Sequence, residues 1–560
     1  MKTKLLSLII TAFSFIGLNA QNEFITIWKP SNSSMTIQGK TKSTVTQTWF
    51  PGVGANYTIV WEEVGYPAHS GSLTNVTSTV GNPVLISFGS ALNPVAADAT
   101  YRVKVSNGTG SFTQIRFLDE GYNAGNYYRN YLGDAEKITE ITQWGTLNWS
   151  SMQQAFGRCV HLNVIATDVL DLTHATTMDR MFFFCHELVG NDAMKNWNTS
   201  TITDMSELFA ACYVFNSDIS GWNTGSVTDM SEMFYNAYLF NKPLANWNTS
   251  NVTNMNTMFM AAKKFNQPLT NWNTANVTNM SYMFYAAVEF NQPLNHFKTD
   301  NVTTMEQMLK NAVKFNQPLD NWNTSKITNM AEMFWMANSF NQNLNNWDVS
   351  SVTNMYSMFS DLPEYNQPLD KWNTDKVTNM EYMFYNSPKF NQNLGSWSLA
   401  GLTTAIEMFS NSGLDCINYD KTLIGWAGNS ATPTNINIGV SGLIYSSTEA
   451  VTARTDLTKP IADGGKGWTF IGDTYDATCN SATAIDLPTT QLINVYPNFT
   501  TDYFTVSGIT ENTPIYVFDI SGKKIMEKIV IPDEKISVTT WNKGIYFVKI
   551  TNKTAKLVVK

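Results

Sequence analysis

The chain has 560 residues, of which 43% are hydrophobic, 13% aromatic and only 14% charged, and its formal net charge is −9. This length exceeds what one hydrophobic core usually serves, so we expect several domains. Nucleic acid is excluded as a partner because no segment clusters the lysines and arginines that phosphate neutralisation requires.

The first residues predict export. Lys2 and Lys4 precede a short apolar run, which ends in front of the small residue Ala20. This order is typical of a secretory signal peptide, here residues 1–20. No later run reaches the roughly 20 apolar residues of a membrane-spanning helix, so we predict no transmembrane segment.

Residues 21–135 have the pattern of a β-domain. Strand-forming residues alternate with polar ones in segments such as 57–61 and 101–105, between clusters of Gly, Pro, Ser and Asn. We predict a small N-terminal antiparallel β-sandwich.

An aromatic residue recurs every 25 residues through the middle of the chain. The positions are Trp197, Trp222, Trp247, Trp272, Phe297, Trp322, Trp347, Trp372 and Trp397. A fixed period of this length indicates one small unit that is copied and stacked. With less regular copies at both ends, about eleven units lie between Trp144 and Asn411, so residues 136–412 are predicted to form a solenoid.

Each unit has a second half with helical spacing. Met330, Met333, Phe334 and Ala337 stand at i, i+3, i+4 and i+7, which predicts one face of a short helix. The Asp, Asn or Thr before each first methionine suits a helix N-cap, as Asn329 does here. The Pro-Leu-x-x-Trp segment ahead of it predicts an extended, strand-like piece.

Two further columns suggest buried polar or reactive groups. An asparagine follows the phenylalanine column, which holds Tyr365 in one unit, without a break from Asn216 to Asn391, and we expect its amide to bond the backbone of the adjacent coil. Cys159, Cys185 and Cys212 share the column that later holds alanine. They fit small buried residues, while a disulfide between adjacent coils and a metal site with nearby histidines remain open.

The repeat motif resembles that of BspA-family leucine-rich-repeat surface proteins of bacteria. Residues 316–334 show the family pattern N-x-x-L-x-x-W-x-T-S-x-V-T-x-M-x-x-M-F nearly unchanged, and residues 143–146 and 420–426 resemble the family's flanks. The resemblance implies a leucine-rich-repeat-like α/β solenoid of about eleven 25-residue coils. It also implies adhesion or protein binding without catalysis. Relatives carry a PKD-like or immunoglobulin-like domain where the N-terminal sandwich is predicted.

Residues 413–482 predict a cap and linker. A mixed segment ends in Gly467-Trp468-Thr469-Phe470-Ile471-Gly472-Asp473 and is suited to shield the last coil from solvent. Cys416 and Cys479 flank it, and a disulfide between them is the candidate pairing in an exported protein.

Residues 486–560 predict a third module of short strands. Their Gly-Ile-Tyr-Phe and Lys-Leu-Val-Val-Lys elements resemble the type A C-terminal sorting domain of the type IX secretion system in Bacteroidetes, although Phe499 stands where that family usually has proline. The resemblance implies a β-sandwich that engages the secretion machinery. It also implies passage through the periplasm to the outer-membrane surface or the exterior, with the domain removed.

Catalytic patterns are scarce. The chain has five histidines and lacks a zinc-protease helix motif, a phosphate loop and a nucleophile elbow. We therefore predict a protein that is not an enzyme and has no cofactor and no catalytic or metal site.

The candidate partner-binding residues lie five positions after the first methionine of each unit. This column holds an aromatic ridge, interrupted by Met260, Lys310 and Ser360, that is formed by Tyr235, Tyr285, Trp335 and Tyr385. Such rings can form a binding surface for a host or matrix protein or for a glycan. Alternatively, they only pack between neighbouring units and bind no partner. We therefore predict adhesion to protein or glycan. The alternative is a structural spacer or a self-associating component of a surface layer or biofilm matrix.

Overall fold

The computed structural model describes residues 22–123, 126–479, 494–496, 499–507, 512–520, 522–531, 534–550 and 553–559. The chain separates into two units, residues 1–479 and residues 480–560. The predicted signal peptide lies outside the described residues. Among the described residues, no helix combines the length and the apolar character that crossing a membrane requires.

The first unit begins with eleven strands. They are β1 (Phe24–Trp28), β2 (Gln47–Phe50), β3 (Gly52–Glu63), β4 (Tyr66–Ser78), β5 (Val84–Ser87), β6 (Tyr101–Ser106), β7 (Ser111–Ile115), β8 (Leu118–Asn123), β9 (Asn126–Tyr131), β10 (Ile138–Gln143) and β11 (Asn163–Val164). One sheet has the order β11-β10-β1-β6-β3-β4, with β7 also paired to β3. Strands β2 and β5 form a second pair, and β8 and β9 form a hairpin.

The alternation of residue types decides which faces of these strands are buried. In β6, Tyr101, Val103 and Val105 are buried, while Arg102 and Lys104 between them are half-buried. Strand β6 pairs antiparallel with both β1 and β3. The two segments with the clearest alternation in the sequence therefore lie side by side at the centre of the sheet.

The sheet runs directly into the repeats. Strand β10 pairs in parallel with β11, which belongs to the first coil. Phe24 of β1 packs against Trp144, with 5.9 Å between the ring centroids. One hydrophobic core extends from Phe24 through the repeats to Trp468. The N-terminal strands thus cover the first coil and protect its core from solvent.

Successive 25-residue units are joined by single parallel bridges between equivalent residues. The bridged residues are Thr177, Asp204, Asp229, Asn254, Asn279, Thr304, Asn329, Asn354, Asn379 and Thr404. Each unit is thus one coil, and the next coil lies on it in register.

The predicted helices of the repeats are wrong. Residues 330–337 form consecutive β-turns, with bonds from the amide of Met333 to the carbonyl of Met330 and from Ala337 to Phe334. The amides of alternate residues instead donate to the next coil. The Phe334 amide donates to the Met358 carbonyl at 3.1 Å, and one coil later the Phe359 amide donates to the Met383 carbonyl at 2.9 Å. Glu332 adopts the left-handed backbone that such turns require, with φ of 56°.

The error has a simple physical cause. Successive β-turns return to the core every three to four residues, so their buried positions have the same spacing as one face of a helix. Met330, Met333, Phe334 and Ala337 are all fully buried, as the helical pattern also demands. The Asn329 side chain accepts from the amide of Ala331, two residues on, which begins a turn and not a helix.

The Pro-Leu-x-x-Trp segment is not a strand either. The amide of Trp347 donates to the carbonyl of Leu344 at 3.0 Å and closes a turn. The indoles follow this turn inwards and stack between coils, as Trp222 and Trp247 do at 6.2 Å and 3°. The Nε1–H of Trp322 donates to the Leu294 carbonyl of the preceding coil at 2.9 Å.

The predicted asparagine ladder is present. The Oδ1 of Asn241 accepts from the backbone amide of Asn266 and from the Nε2 of Gln267 in the next coil, both at 3.0 Å. The same pair of bonds recurs from Asn266 to the coil after it. Each amide thus satisfies backbone that the turns leave without a partner in their own coil.

A mixed segment closes the last coil. It contains α1 (Cys416–Gly428), β12 (Asn437–Gly439), β13 (Ile444–Tyr445), α2 (Thr448–Thr458), β14 (Thr469–Ile471) and β15 (Thr474–Tyr475). Asp415 caps α1 by accepting from the Asn418 amide. Trp426 of α1 donates to the Leu394 carbonyl and packs on Phe409, so it takes the place of a repeat tryptophan.

The second unit has two sheets. Its strands are β16 (Asn494–Tyr496), β17 (Phe499–Thr500), β18 (Tyr503–Ser507), β19 (Thr513–Asp519), β20 (Lys524–Val530), β21 (Ile536–Ser537), β22 (Gly544–Ile550) and β23 (Lys553–Val559). The sheet orders are β16-β18-β21 and β17-β23-β22-β19-β20. They enclose a separate hydrophobic core that includes Phe504, Ile515 and Leu557.

Candidate functional site

The β-turns of the coils place their outward side chains on one continuous surface, which we name the turn face. It consists of the residues one, two, five and six positions after the first methionine of each coil. In the coil that begins at Met305 these are Glu306, Gln307, Lys310 and Asn311, all half-buried. Because every coil repeats this geometry, side chains in equivalent positions lie roughly 4.8 Å apart along the stack.

The four predicted ridge residues all lie on the turn face. Tyr235, Tyr285, Trp335 and Tyr385 are half-buried, so each ring packs on its neighbours and keeps part of its surface in solvent. They occupy alternate coils, and the coils between them contribute the other members of the column.

Tyr235 differs from the other three because the β8–β9 hairpin covers its end of the turn face. Leu118 of β8 forms a small core with Phe183 and Ala210, and Tyr235 packs against that core. Glu120 of the same strand accepts from the Arg158 guanidinium at 2.8 Å. Among the described residues of the first unit, the turn face is therefore covered over the first coils and uncovered over residues 255–411.

The uncovered part holds a cation between two rings. The Nζ of Lys310 lies 5.3 Å from the ring centroid of Tyr285 and 4.0 Å from that of Trp335. Its ion-pair partner is Glu332. Cation–π attraction on both sides and a carboxylate at the tip hold the lysine in place.

Further along, Trp335 bonds to the next coil. Its Nε1–H donates to Asp361 Oδ2 at 2.9 Å, and Asn386 Nδ2 donates to Asp361 Oδ1 at 2.6 Å. Tyr382 lies 5.6 Å from Tyr385. These contacts fix the orientation of the rings without covering them.

Three aromatic residues of this surface lie outside the predicted ridge. Tyr282, Tyr356 and Tyr382 are half-buried on the turn face, and Tyr356 lies 5.9 Å from Tyr382. On the predicted helix, too, Tyr282 and Tyr382 would stand beside the ridge, each three residues before a ridge tyrosine. The signal was present as aromatic residues one or two positions after the first methionine.

The uncovered turn face is acidic. Its charged residues are Glu306, Lys310, Glu332, Asp361, Glu381 and Glu407, which makes five carboxylates against one ammonium group. Burial and the neighbouring Glu306 raise the pKa of Tyr282. The surface thus combines aromatic rings with an excess of negative charge.

Two carboxyl groups near the hairpin, those of Glu232 and Asp179, are buried and have raised pKa values. Burial first, and then the Glu207 carboxylate of the preceding coil, raise the pKa of Glu232 to about 7. Burial likewise raises the pKa of Asp179 to about 6. The Arg180 guanidinium pairs with Glu207, which leaves Glu232 without an ion-pair partner in the part of the chain that the structure describes.

The cysteines fall into two groups. Cys416 and Cys479 are joined in a disulfide that ties the start of α1 to the end of the first unit. Cys159, Cys185 and Cys212 are free and buried, and burial raises the pKa of each thiol. The Cys185 thiol donates to the Phe156 carbonyl of the preceding coil at 3.1 Å.

The histidines near these thiols make other contacts. His161 bonds Glu187 at 3.2 Å, and His186 stacks on Tyr213 with 4.5 Å between ring centroids. Tyr238 continues this stack at 4.9 Å, so the ring faces cover one another. Among the described residues no group of three or more His, Cys, Asp or Glu side chains could hold a metal ion.

Comparison with known proteins identifies two parts of the chain. Residues 150–251, 242–334 and 314–421 match the family described as "Mycoplasma protein of unknown function, DUF285". Residues 494–560 match the family described as "Secretion system C-terminal sorting domain". No curated protein and no solved structure matches the chain. The protein thus carries DUF285 repeats, and its sorting domain engages the type IX secretion machinery and directs it to the cell surface or the extracellular space.

Proposed function

We propose that the protein is a non-catalytic surface-binding protein. In this proposal the stacked coils form a leucine-rich-repeat-like solenoid of the BspA type, and the uncovered turn face of residues 255–411 binds a protein or a glycan outside the cell. The observation that carries the proposal is the cluster of half-exposed rings on that face, formed by Tyr282, Tyr285, Trp335, Tyr356, Tyr382 and Tyr385.

The chemistry of these side chains supports binding. Tyrosine and tryptophan combine a large apolar surface with a polar group and lose little conformational entropy on binding, so they dominate the energetics of many interfaces. Here their rings are held by contacts between neighbouring coils, such as the bond from Trp335 to Asp361. Ordering them on binding therefore costs little.

The covered end of the turn face supports the same proposal. The β8–β9 hairpin lies on equivalent positions of the first coils, with Leu118 buried against Phe183 and Glu120 bonded to Arg158. One end of this surface thus already holds a peptide segment through apolar packing and ion pairs. The remaining coils offer the same backbone geometry with more aromatic residues.

Secretion places such a surface where partners are available. The sorting domain directs the chain to the cell surface or the exterior. An uncovered aromatic surface inside the cell would promote aggregation, whereas on an exported protein it can meet host or matrix molecules.

The test is an array of extracellular-matrix proteins and glycans probed with the full-length protein. We expect at least one protein or glycan to be bound, with the free protein monomeric in size-exclusion chromatography. No binding to any protein or glycan on the arrays, together with self-association of the protein, would contradict the proposal. That outcome would favour a structural spacer or a self-associating matrix component.

A further inference from the structure

The position of Lys310 suggests what kind of group the turn face accepts. Lys310 lies between the rings of Tyr285 and Trp335, which belong to coils two steps apart. Two coil steps correspond to roughly 10 Å, and a cation attracted to a ring lies within about 6 Å of its centroid. This spacing therefore lets one ammonium or guanidinium group contact both rings.

The next interval along the same column has a different occupant. Trp335 and Tyr385 are again two coils apart, and Ser360 stands between them where Lys310 stands in the preceding interval. Ser360 is only 3% exposed, and its hydroxyl bonds Asp361 at 3.0 Å. A serine side chain ends one atom beyond Cβ and does not reach the outer parts of the rings. Since neighbouring side chains lie over Ser360, a cation would lie outside it, between the outer parts of the two rings. We name this interval the Ser360 slot.

The slot carries an uncompensated negative charge. Asp361 accepts bonds from Trp335 Nε1, from Asn386 Nδ2 and from Ser360 Oγ, all of which are neutral groups. In the part of the chain that the structure describes, no ion pair of Asp361 is present, whereas Lys310 is paired with Glu332. Tyr382, 5.6 Å from Tyr385, adds a third ring at the edge.

We propose that the Ser360 slot binds a lysine or arginine side chain from a basic segment of a partner protein. The cation would lie between Trp335 and Tyr385, as Lys310 lies between Tyr285 and Trp335, with Asp361 as its counter-ion. This inference rests on the proposed function and narrows it to a protein partner. The excess of carboxylates on the uncovered turn face favours a basic segment over an acidic or neutral one.

The covered end of the turn face shows the same combination of groups. The Arg158 guanidinium lies 5.2 Å from the ring centroid of Phe183 and 4.4 Å from that of Phe184, and it pairs with Glu120. Basic side chain, two rings and a carboxylate thus occur together at two places on this face. The Ser360 slot has the two rings and the carboxylate, and the proposed partner side chain would supply the cation.

The test uses the full-length protein and a defined probe. The probe is a fluorescein-labelled, amidated nine-residue Gly-Ser peptide with three arginines at alternate positions, followed by fluorescence anisotropy at 150 mM salt. The matched control peptide has citrulline, the neutral isostere, in place of each arginine. We expect the arginine peptide to bind about tenfold more tightly than the citrulline peptide.

Three variants locate the binding. Ser360→Lys fills the slot with a cation of the chain itself and should weaken arginine-peptide binding about tenfold. Ser339→Lys adds the same charge away from the turn face and should leave binding within about twofold, because only screened long-range repulsion changes. Lys310→Ser empties the preceding interval and should strengthen binding, since it creates a second slot beside Glu332.

Each outcome decides between the possibilities. Equal binding of both peptides, or an equal effect of the Ser360 and Ser339 variants, would overturn the slot. Ser360→Lys should fold, since the same column holds lysine and tryptophan in neighbouring coils. If it does not fold, unchanged or weaker binding by Lys310→Ser overturns the proposal independently. If the protein binds an array partner but does not bind the arginine peptide, the proposed function stands and the Ser360 slot is overturned. No array partner, self-association of the protein and no arginine-peptide binding would together overturn both proposals.

Discussion

The phenylalanine that interrupts the tryptophan column comes with a compensating residue, and this pairing yields a quantitative prediction. In the regular coils the indole Nε1–H donates to a backbone carbonyl 28 residues earlier, as Trp322 does to Leu294. Phe297 has no such donor. His296 beside it bonds the equivalent carbonyl, that of Leu269, through Nε2 at 2.9 Å. The histidine therefore replaces the donor that the phenylalanine lacks.

Trp322→Phe should remove this bond and shrink the core without a replacement. The Leu294 carbonyl keeps its bond from the Phe297 amide at 3.0 Å, so the loss of its second bond costs about 0.5–1.5 kcal/mol. The smaller ring leaves a cavity of roughly 40 Å³, which at about 24 cal/mol per Å³ adds about 1 kcal/mol. Because Trp322 is only 4% exposed, solvent cannot supply the lost donor. We expect a destabilisation of about 1.5–2.5 kcal/mol.

Adding Asn321→His to Trp322→Phe should restore about 0.5–1 kcal/mol, since a histidine at position 321 stands where His296 stands relative to its own carbonyl. Asn321→His alone is the control and should change stability by less than about 0.5 kcal/mol, because the Leu294 carbonyl already has its donor.

The assay is hydrogen exchange with mass spectrometry, which reports the opening free energy of the two neighbouring coils that contain residues 316–347. A double variant no more stable than Trp322→Phe would refute the compensation. So would a Trp322→Phe variant that costs less than about 0.5 kcal/mol.

Two further predictions concern titration and the cap. The pKa of Glu232 is raised to about 7, so ionisation of this carboxyl group is less favourable in the folded chain than in the unfolded chain. Its contribution to the free energy of unfolding is therefore fully present below pH 4.5 and is lost as pH rises through 7. Glu232→Gln should therefore raise stability at pH 8 by about 1–2 kcal/mol after solvent screening and have little effect at pH 4, measured by urea unfolding; an equal gain at both pH values would contradict this. Cys479→Ser opens the disulfide, whose partners are 63 residues apart, and should cost the cap up to about 4 kcal/mol, seen as faster exchange in α1 and α2. Unchanged exchange there would contradict this role.

The sequence predicts which residues of a coil are buried better than it predicts their backbone. Met330, Met333 and Phe334 are fully buried as the spacing requires. Hydrogen bonds, however, run between coils and not along a helix, and side-chain spacing does not report the direction of backbone bonds. The positive φ of Glu332 is equally invisible, because no glycine stands there to signal it.

The candidate site was predictable to the extent that it depends on the period. Trp335 and its column follow from counting residues, and all four predicted ridge members lie on the turn face. The coverage of Tyr235 does not follow, because it depends on contacts from Leu118, far from the repeats in sequence. Tyr382 was predictable by the same count, because it stands three residues before Tyr385 and would share its face on a helix as well.

The central claim is that the uncovered turn face is the surface that binds a partner. The most direct measurement is the Kd of the tightest array partner for two triple variants of the full-length protein. Tyr285→Ser, Trp335→Ser and Tyr385→Ser remove rings from the turn face, while the control replaces exposed apolar residues elsewhere, Ile165, Leu239 and Tyr475, by serine. We expect the first triple variant to raise the Kd at least about 30-fold and the control to change it less than about threefold. Equal affinities of the two variants, with both folded, would contradict the account.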